Sequence, residues 1–329
     1  MPTEVSTFLL LTAALPVFLL MGTGAALRRL GILTPAGDTS MIGLAVNVTY
    51  PCFILQNDVG NTALRRPENV WIPFVCGVLF MLLGGLLAYA AAPIFRLREP
   101  ATRRTFALAC SIQNYGYLPI PVMSVLFPGG NWMGVLFVYS LGVELVLWTA
   151  GVWLMQPSAH GAFRKMLNPV VGSIIAGLLL NLIDWLPLLA PGAPAAWAIQ
   201  TIQRASRLLG DCAVPLGLLL VGATLGDLVG RKGWLSDSRA AIGGIVMRLA
   251  ILPLTMLGGM LLLPWASQDF RHVIAVQSAM PAAVFPMILA RRYGGDEATA
   301  MRVIVITTLV SLLTIPFAVK LALRVLASP

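Results

Sequence analysis

Charge is what this chain has least of. Only 11% of its 329 residues are Asp, Glu, Lys or Arg, where a soluble domain carries about 25%. With 58% hydrophobic residues and a mean hydropathy of +0.86, there is too little polar surface to cover a water-facing globule. The composition reads as an all-α polytopic membrane protein. Histidine is scarce too: His160 and His272 fall in loops or at span ends, and solvation is their expected state. The four cysteines, Cys52, Cys76, Cys110 and Cys212, show no CxxC spacing. They read as small core residues, which sets aside a disulfide framework or a metal site. No Walker loop, HExxH, GxSxG or glycine fingerprint for nucleotides is found. No nucleophile has a base at a recognisable spacing, and no aspartates are paired, so an enzyme is not expected and no cofactor is implied. A membrane sensor would bring a soluble signalling domain, and none is visible.

The net charge of +9 does not point to nucleic acid. The basic residues sit in short clusters between apolar runs, where they set topology. The N-terminal run could pass for a signal peptide, but it has no basic n-region, and Arg28 and Arg29 follow it. That favours a retained first helix.

A helix needs roughly 20 apolar residues to cross a bilayer. Ten such runs are expected, near 5–27, 38–57, 70–95, 104–127, 132–155, 168–186, 205–228, 239–264, 270–291 and 298–325. Assigning loops by alternation puts 14 basic residues on one side and 7 on the other. The richer side is cytoplasmic, so both termini face out, across a plasma (inner) membrane. Trp71, Trp132, Trp197, Trp234 and Trp265 fall near span ends, as interfacial aromatics do.

Two pairs of segments suggest an internal duplication. "LAVNVTYPCFIL" and "LLGDCAVPLGLL" each place a polar residue four before a proline: Asn47 with Pro51, Asp211 with Pro215. "GYLPIP" and "PAAVFP" align Gly116 and Pro121 with Pro281 and Pro286 at nearly the same offset. Repeats of five helices, an odd number, must insert upside down relative to each other, a pattern typical of secondary transporters. The expected division is 1–156 for the first repeat, 157–167 for a cytoplasmic linker and 168–329 for the second.

The fourth expected span contains "CSIQNYGYLPIP". Pro119 and Pro121 lack an N–H and clash with the preceding turn, and Gly116 loosens the same stretch. The ninth repeats this with Pro281 and Pro286. Backbone groups freed at mid-membrane are tolerated only inside protein or along a water-filled cavity. Two matched breaks would gather half-helix ends at one point, where helix N-termini favour an anion. Ser111, Gln113, Asn114, Tyr115 and Gly116 lie at the first break, Gln277 and Ser278 before the second. Their hydroxyls and amides suit a carboxylate without burying a full charge. The competing reading is that the prolines kink packed helices and the amides join them.

"SIQNYGYLPIPV", "MPAAVFPMILARRYGGDEATA" and "TTLVSLLTIP" resemble the auxin efflux carrier family, whose members include plant auxin carriers and bacterial carriers of malonate and other carboxylates. The resemblance covers the whole chain. It implies two inverted five-helix repeats whose fourth and ninth helices cross at prolines, a division into scaffold and transport groups, and organic anions bound at the crossing. By that resemblance Asn114 matches the family's Asn in the fourth helix, and Pro121 and Pro281 lie at the crossings. The chain departs from the plant pattern around Gln113 and Tyr115 and lacks the long cytoplasmic loop of many plant members.

Ionisable residues inside a membrane are costly and count as functional candidates. Glu144 lies mid-span and suits a proton carrier or a structural carboxylate. Asp211 opens the seventh span and suits a cation, a proton or the outer water. Arg248 suits a structural partner or snorkelling more than a substrate ligand. Asp296 and Glu297 read as a helix start. The expected function is transport of small organic anions by alternating access, coupled to protons, to sodium or to neither. A sodium-coupled carrier of the bile-acid type ranks second, because the crossing offers amides and hydroxyls but no acid. Small-residue patterns would also allow two copies to pair.

Overall fold

A computed structural model describes residues 7–156, 167–182, 196–230 and 238–327. The described residues are helical, with one isolated antiparallel bridge in place of any strand. Residues 157–166 of the expected 157–167 linker, with His160, and the segment carrying Trp234 lie outside them.

Among the described residues six helices are long and apolar enough to cross a membrane. α1 is Thr7–Arg29 and ends on its own two arginines. α4 is Glu68–Ala91. α7, Trp132–Val146, continues through a π turn into α8, Val152–Met155. α10 (Ala196–Asp211) and α11 (Ala213–Gly230) adjoin at Cys212. α12 (Ser238–Val246) joins α13 (Leu252–Leu261) through a π turn holding Arg248. α16 is Glu297–Ala327. The seventh span thus starts about one helix segment earlier than the hydropathy alone suggested, because the amphipathic α10 precedes the apolar α11.

The remaining segments are shorter because each is interrupted. α2 (Pro35–Leu44) and α3 (Tyr50–Asp58) flank a π turn at Ala45–Thr49. α9 is Pro169–Leu180, capped by Asn168, whose side chain accepts from Val170 N and Val171 N; the end of the sixth expected span lies beyond the described residues. α5 (Pro100–Ser111) and α6 (Pro119–Leu126) are separated by non-helical chain. So are α14 (Gln268–Ser278) and α15 (Phe285–Tyr293). α15 ends at Gly294, whose φ of 76° suits a residue without a Cβ.

Two glycine pairs bring helices into backbone contact. A Cβ on Gly222 of α11 would lie 1.9 Å from Met21 O, and one on Gly24 of α1 would lie 2.1 Å from Leu219 O. Gly142 of α7 and Gly77 of α4 show the same reciprocity, at 2.2 and 2.3 Å from Phe74 O and Tyr139 O. Without a hydrophobic drive between helices in lipid, such close approach supplies the packing. Outward faces stay apolar: Phe8, Leu19, Leu86, Leu313 and Phe317 are exposed, as befits contact with lipid.

Polar ties hold the ends. Arg28 of α1 pairs with Asp38 of α2 and, at 3.2 Å, with Asp227 of α11. Asp296 caps α16 as expected, accepting from Thr299 N at 3.1 Å, and its carboxylate also takes the Thr102 hydroxyl of α5 at 2.8 Å. Partial burial pushes the Asp296 carboxyl up, but the hydrogen bonds from Thr299 and Thr102 outweigh it and hold it below the usual aspartate range. Trp71, Trp197 and Trp265 are exposed near helix ends, whereas Trp132 is buried and donates to Phe127 O at 2.9 Å. Its place at the turn between α6 and α7, not an interface, fixes it. His272 departs from the solvated expectation: its ring stacks on Phe127 at 3.8 Å. The cysteines are free thiols; Cys76 and Cys110 are buried, but Cys212 is exposed at the α10–α11 junction.

Candidate functional site

The two breaks meet. Asn114 N donates to Pro281 O at 2.8 Å, and Ala283 N donates to Ile112 O at 2.9 Å, so Gln113 faces Ala282 in an antiparallel bridge. Ala282 N is taken by the Thr307 hydroxyl of α16 at 3.2 Å. Each break therefore satisfies backbone groups the other has freed, which answers the desolvation problem inside a membrane.

Three of the four prolines sit away from the meeting of the breaks. Pro119 is the first residue of α6, and Pro121 lies in its first turn; Pro286 is the second residue of α15. A first-turn proline lacks only an N–H that would have had no helical partner. These prolines start the second half-helices. Pro281 alone is at the meeting point, through its carbonyl. The crossing is thus centred on Gln113 and Ala282, earlier in the first break than the alignment of Gly116 and Pro121 implied.

Most of the expected anion ligands face inward and are engaged. Gln113 donates to the Tyr139 hydroxyl at 2.7 Å, and Gln277 to Tyr115 O at 2.9 Å. Ser111 and Ser278 return to carbonyls of their own helices, Leu108 O and Ala275 O, both at 3.0 Å. All four are buried. Gln277 thus joins the two breaks and Gln113 ties the first break to α7, while the two serines bond within their own helices. Asn114 accepts from Leu118 N at 3.3 Å, which shapes the turn into α6.

Tyr115 and Gly116 are half-buried. A Cβ on Gly116 would come 2.9 Å from the Tyr50 hydroxyl. Tyr50 and Tyr117 pack edge-to-face, with centroids 5.2 Å apart. Gly217 of α11 leaves room for the Tyr117 ring: a Cβ there would be 1.8 Å from a ring carbon. Asn47, in the π turn before Tyr50, is exposed and bonds Gly43 O at 2.7 Å; Asp211 is exposed and accepts from Gln56 at 3.3 Å. These two mark matching helix distortions, but neither bonds to the meeting of the breaks.

Two charges complete the picture. The Tyr115 hydroxyl donates to Glu144, and Trp148 Nε1 donates to its other oxygen at 2.8 Å. The Trp148 ring packs edge-to-face on Phe285, the first residue of α15, at 5.4 Å. The crossing therefore does have an acid beside it, contrary to the sequence reading, because Tyr115 reaches across to α7. Arg248 does not snorkel: it is 1% exposed. Its guanidinium reaches Met280 O at 3.1 Å, Cys110 O at 3.4 Å and Ser278 O at 3.5 Å. These carbonyls lie at the C-terminal ends of α5 and α14. Among the described residues no cluster of three His, Cys, Asp or Glu side chains suits a metal.

Sequence reasoning missed Tyr139, Trp148, Thr307, Tyr50 and Tyr117. Trp148 follows Glu144 by four residues, one helical turn, and that spacing could have found it. The others meet the crossing only through tertiary packing.

Comparison with known proteins follows the same line. The family model described as "Membrane transport protein" matches residues 9–165 and 161–319. An "Uncharacterized transporter" of Methanothermobacter thermautotrophicus is 26% identical over 308 residues, covering 92% of this chain and 95% of that protein.

Proposed function

The chain belongs to the membrane transport protein family, and from that premise we propose that it is a secondary carrier of small organic anions working by alternating access about the two breaks. The carrying observation is the hydrogen-bonded meeting of the α5–α6 and α14–α15 breaks. The N-termini of α6 and α15 follow these breaks, beside Asn114, Tyr115 and Gly116, and favour a carboxylate. In this reading the chain has ten spans in two inverted repeats, 1–156 and 168–329, joined by a cytoplasmic linker at 157–167. Both termini face outside the plasma (inner) membrane. Asn114 and Tyr115 hold the anion. Gln113, Gln277, Ser111 and Ser278 keep the crossing intact while one helix group moves against the other.

Glu144 is the coupling group. An anion entering beside an ionised Glu144 meets a like charge, so it binds best when Glu144 carries a proton. The same carboxylate gives a sodium-coupled carrier a specific observation in its favour, since sodium could take the proton's place.

Uptake of labelled dicarboxylates and indole-3-acetate into proteoliposomes, under imposed pH or sodium gradients, tests all of this. Saturable flux that Asn114→Ala lowers at least tenfold places the anion at the breaks. Flux unchanged by Asn114→Ala makes them structural, and acceleration by sodium at constant pH replaces the proton. Ligand binding with no flux would make the chain a sensor.

A further inference from the structure

A second acid, fully buried, lies away from the meeting of the breaks. Asp58 closes α3, and its side chain is 0% exposed. Neither of its carboxyl oxygens has a hydrogen-bond partner among the described residues. Its burial comes from close packing on α9: a Cβ on Gly177 would fall 2.7 Å from Asp58 Cβ and 3.0 Å from Oδ2.

The amides nearby are spent on one another. Asn61 donates to Asn57 O and Asn131 O, Asn69 to Ala63 O, and Asn181 to Asn61 O; the Asn181 oxygen accepts from Gly60 N. Among the described residues no charge compensates Asp58 either. The elements packed on α3 are α9, α10, α7 and the π turn before it. α9 and the π turn carry no ionisable side chain. On α10, Arg204 and Arg207 are exposed, and Asp211 bonds Gln56. On α7, Glu144 is held by Tyr115 and Trp148.

The two acids are thus built oppositely. Half-buried Glu144 receives two donors, the arrangement an ionised carboxylate needs. Among the described residues Asp58 receives none. An ionised carboxylate buried without donor or counter-ion is far costlier than a neutral carboxyl in the same place. A metal ion would demand several further oxygen ligands, whereas a proton demands no cage.

We propose that Asp58 is an occluded proton-binding site, neutral in this conformation, which exchanges its proton only when α9 moves away from α3. The site is separate from the crossing and does not depend on which anion is carried.

Infrared spectroscopy of the full chain in lipid tests it without any transport assay. At neutral pH the wild type should show the carbonyl stretch of a protonated carboxylic acid, at the high-frequency edge where hydrogen bonding is absent. Asp58→Asn, nearly isosteric, should remove that band, while Glu144→Gln should leave it. Gly177→Ala, which presses on the carboxyl, should shift the band and supplies the readout if Asp58→Asn does not fold. Absence of the band in wild type, its persistence in monodisperse Asp58→Asn, or an unmoved band in Gly177→Ala would each overturn the proposal. Loss of the band on adding sodium at constant pH would make sodium the occupant and overturn the proton.

Discussion

Among the described residues Arg248 is the largest fully buried side chain, and its partners explain why a cation without an acid beside it among those residues survives there. Its described oxygen contacts are three main-chain carbonyls at the ends of two half-helices. A hydrogen bond to a charged group contributes about 1.5–3 kcal/mol net, and stranding a buried acceptor costs about 1–3 kcal/mol. Arg248→Met should therefore destabilise the chain by about 2–4 kcal/mol, read as a lower melting temperature in detergent. If stability is unchanged, the guanidinium does not hold the breaks together. Sequence revealed Arg248 as a charge inside a span and no more. Backbone carbonyls carry no residue identity, so a partner of this kind leaves no mark on the amino-acid pattern. Glu144 shows the same limit in milder form: Trp148 lies one helical turn on and was legible, while Tyr115 arrives from another helix and was not.

At the scale of elements, half-helices carry charge that no residue count includes. A helix end is equivalent to about half an elementary charge, positive at the N-terminus and negative at the C-terminus. The C-terminal ends of α5 and α14 together roughly balance Arg248. The N-terminal ends of α6 and α15 together roughly balance an ionised Glu144, which reaches them through Tyr115 and through Trp148 on Phe285. A neutral Glu144 leaves one positive equivalent for one anionic group. Wild-type transport of a monoanion should then be electroneutral, one proton moving with each anion. Glu144→Gln should carry the anion alone and become electrogenic. Charge displacement on a solid-supported membrane distinguishes the two, and equal currents in wild type and variant would sink this accounting. The breaks themselves were legible in Gly116, Pro119, Pro121, Pro281 and Pro286. Their register was not, because first-turn prolines mark where a helix begins and say nothing about which residues of the preceding chain pair across.

In the whole molecule the helices pack as two groups. α1, α3, α9, α10 and α11 pack mainly among themselves, as do α4, α5, α7, α12, α14 and α16. Hydropathy anticipated the six helices long and apolar enough to cross a membrane among the described residues, but a partition by packing depends on small residues whose partners lie far along the chain. Gly24 with Gly222 fastens one group, and Gly77 with Gly142 the other. The groups meet chiefly where α1 packs on α16, and α6, which belongs to neither, places Tyr117 at its entry on Gly217 of α11. If the proposed alternating access holds, the Tyr117–Gly217 contact is one that must slide. A fastened contact and a sliding one respond differently to added bulk, since the first must open to accommodate it and the second must only pass it. Gly217→Val should leave the chain folded, because the Tyr117 ring can swing aside, yet it should slow anion flux about tenfold, equivalent to a barrier raised by about 1.4 kcal/mol. Tyr117→Ala removes the obstructing ring, so the double variant should recover most of the lost rate. Flux measured in proteoliposomes for the four members of this cycle tests the sliding surface directly. Slowing by Gly217→Val that Tyr117→Ala does not relieve would place the moving boundary somewhere else in the bundle.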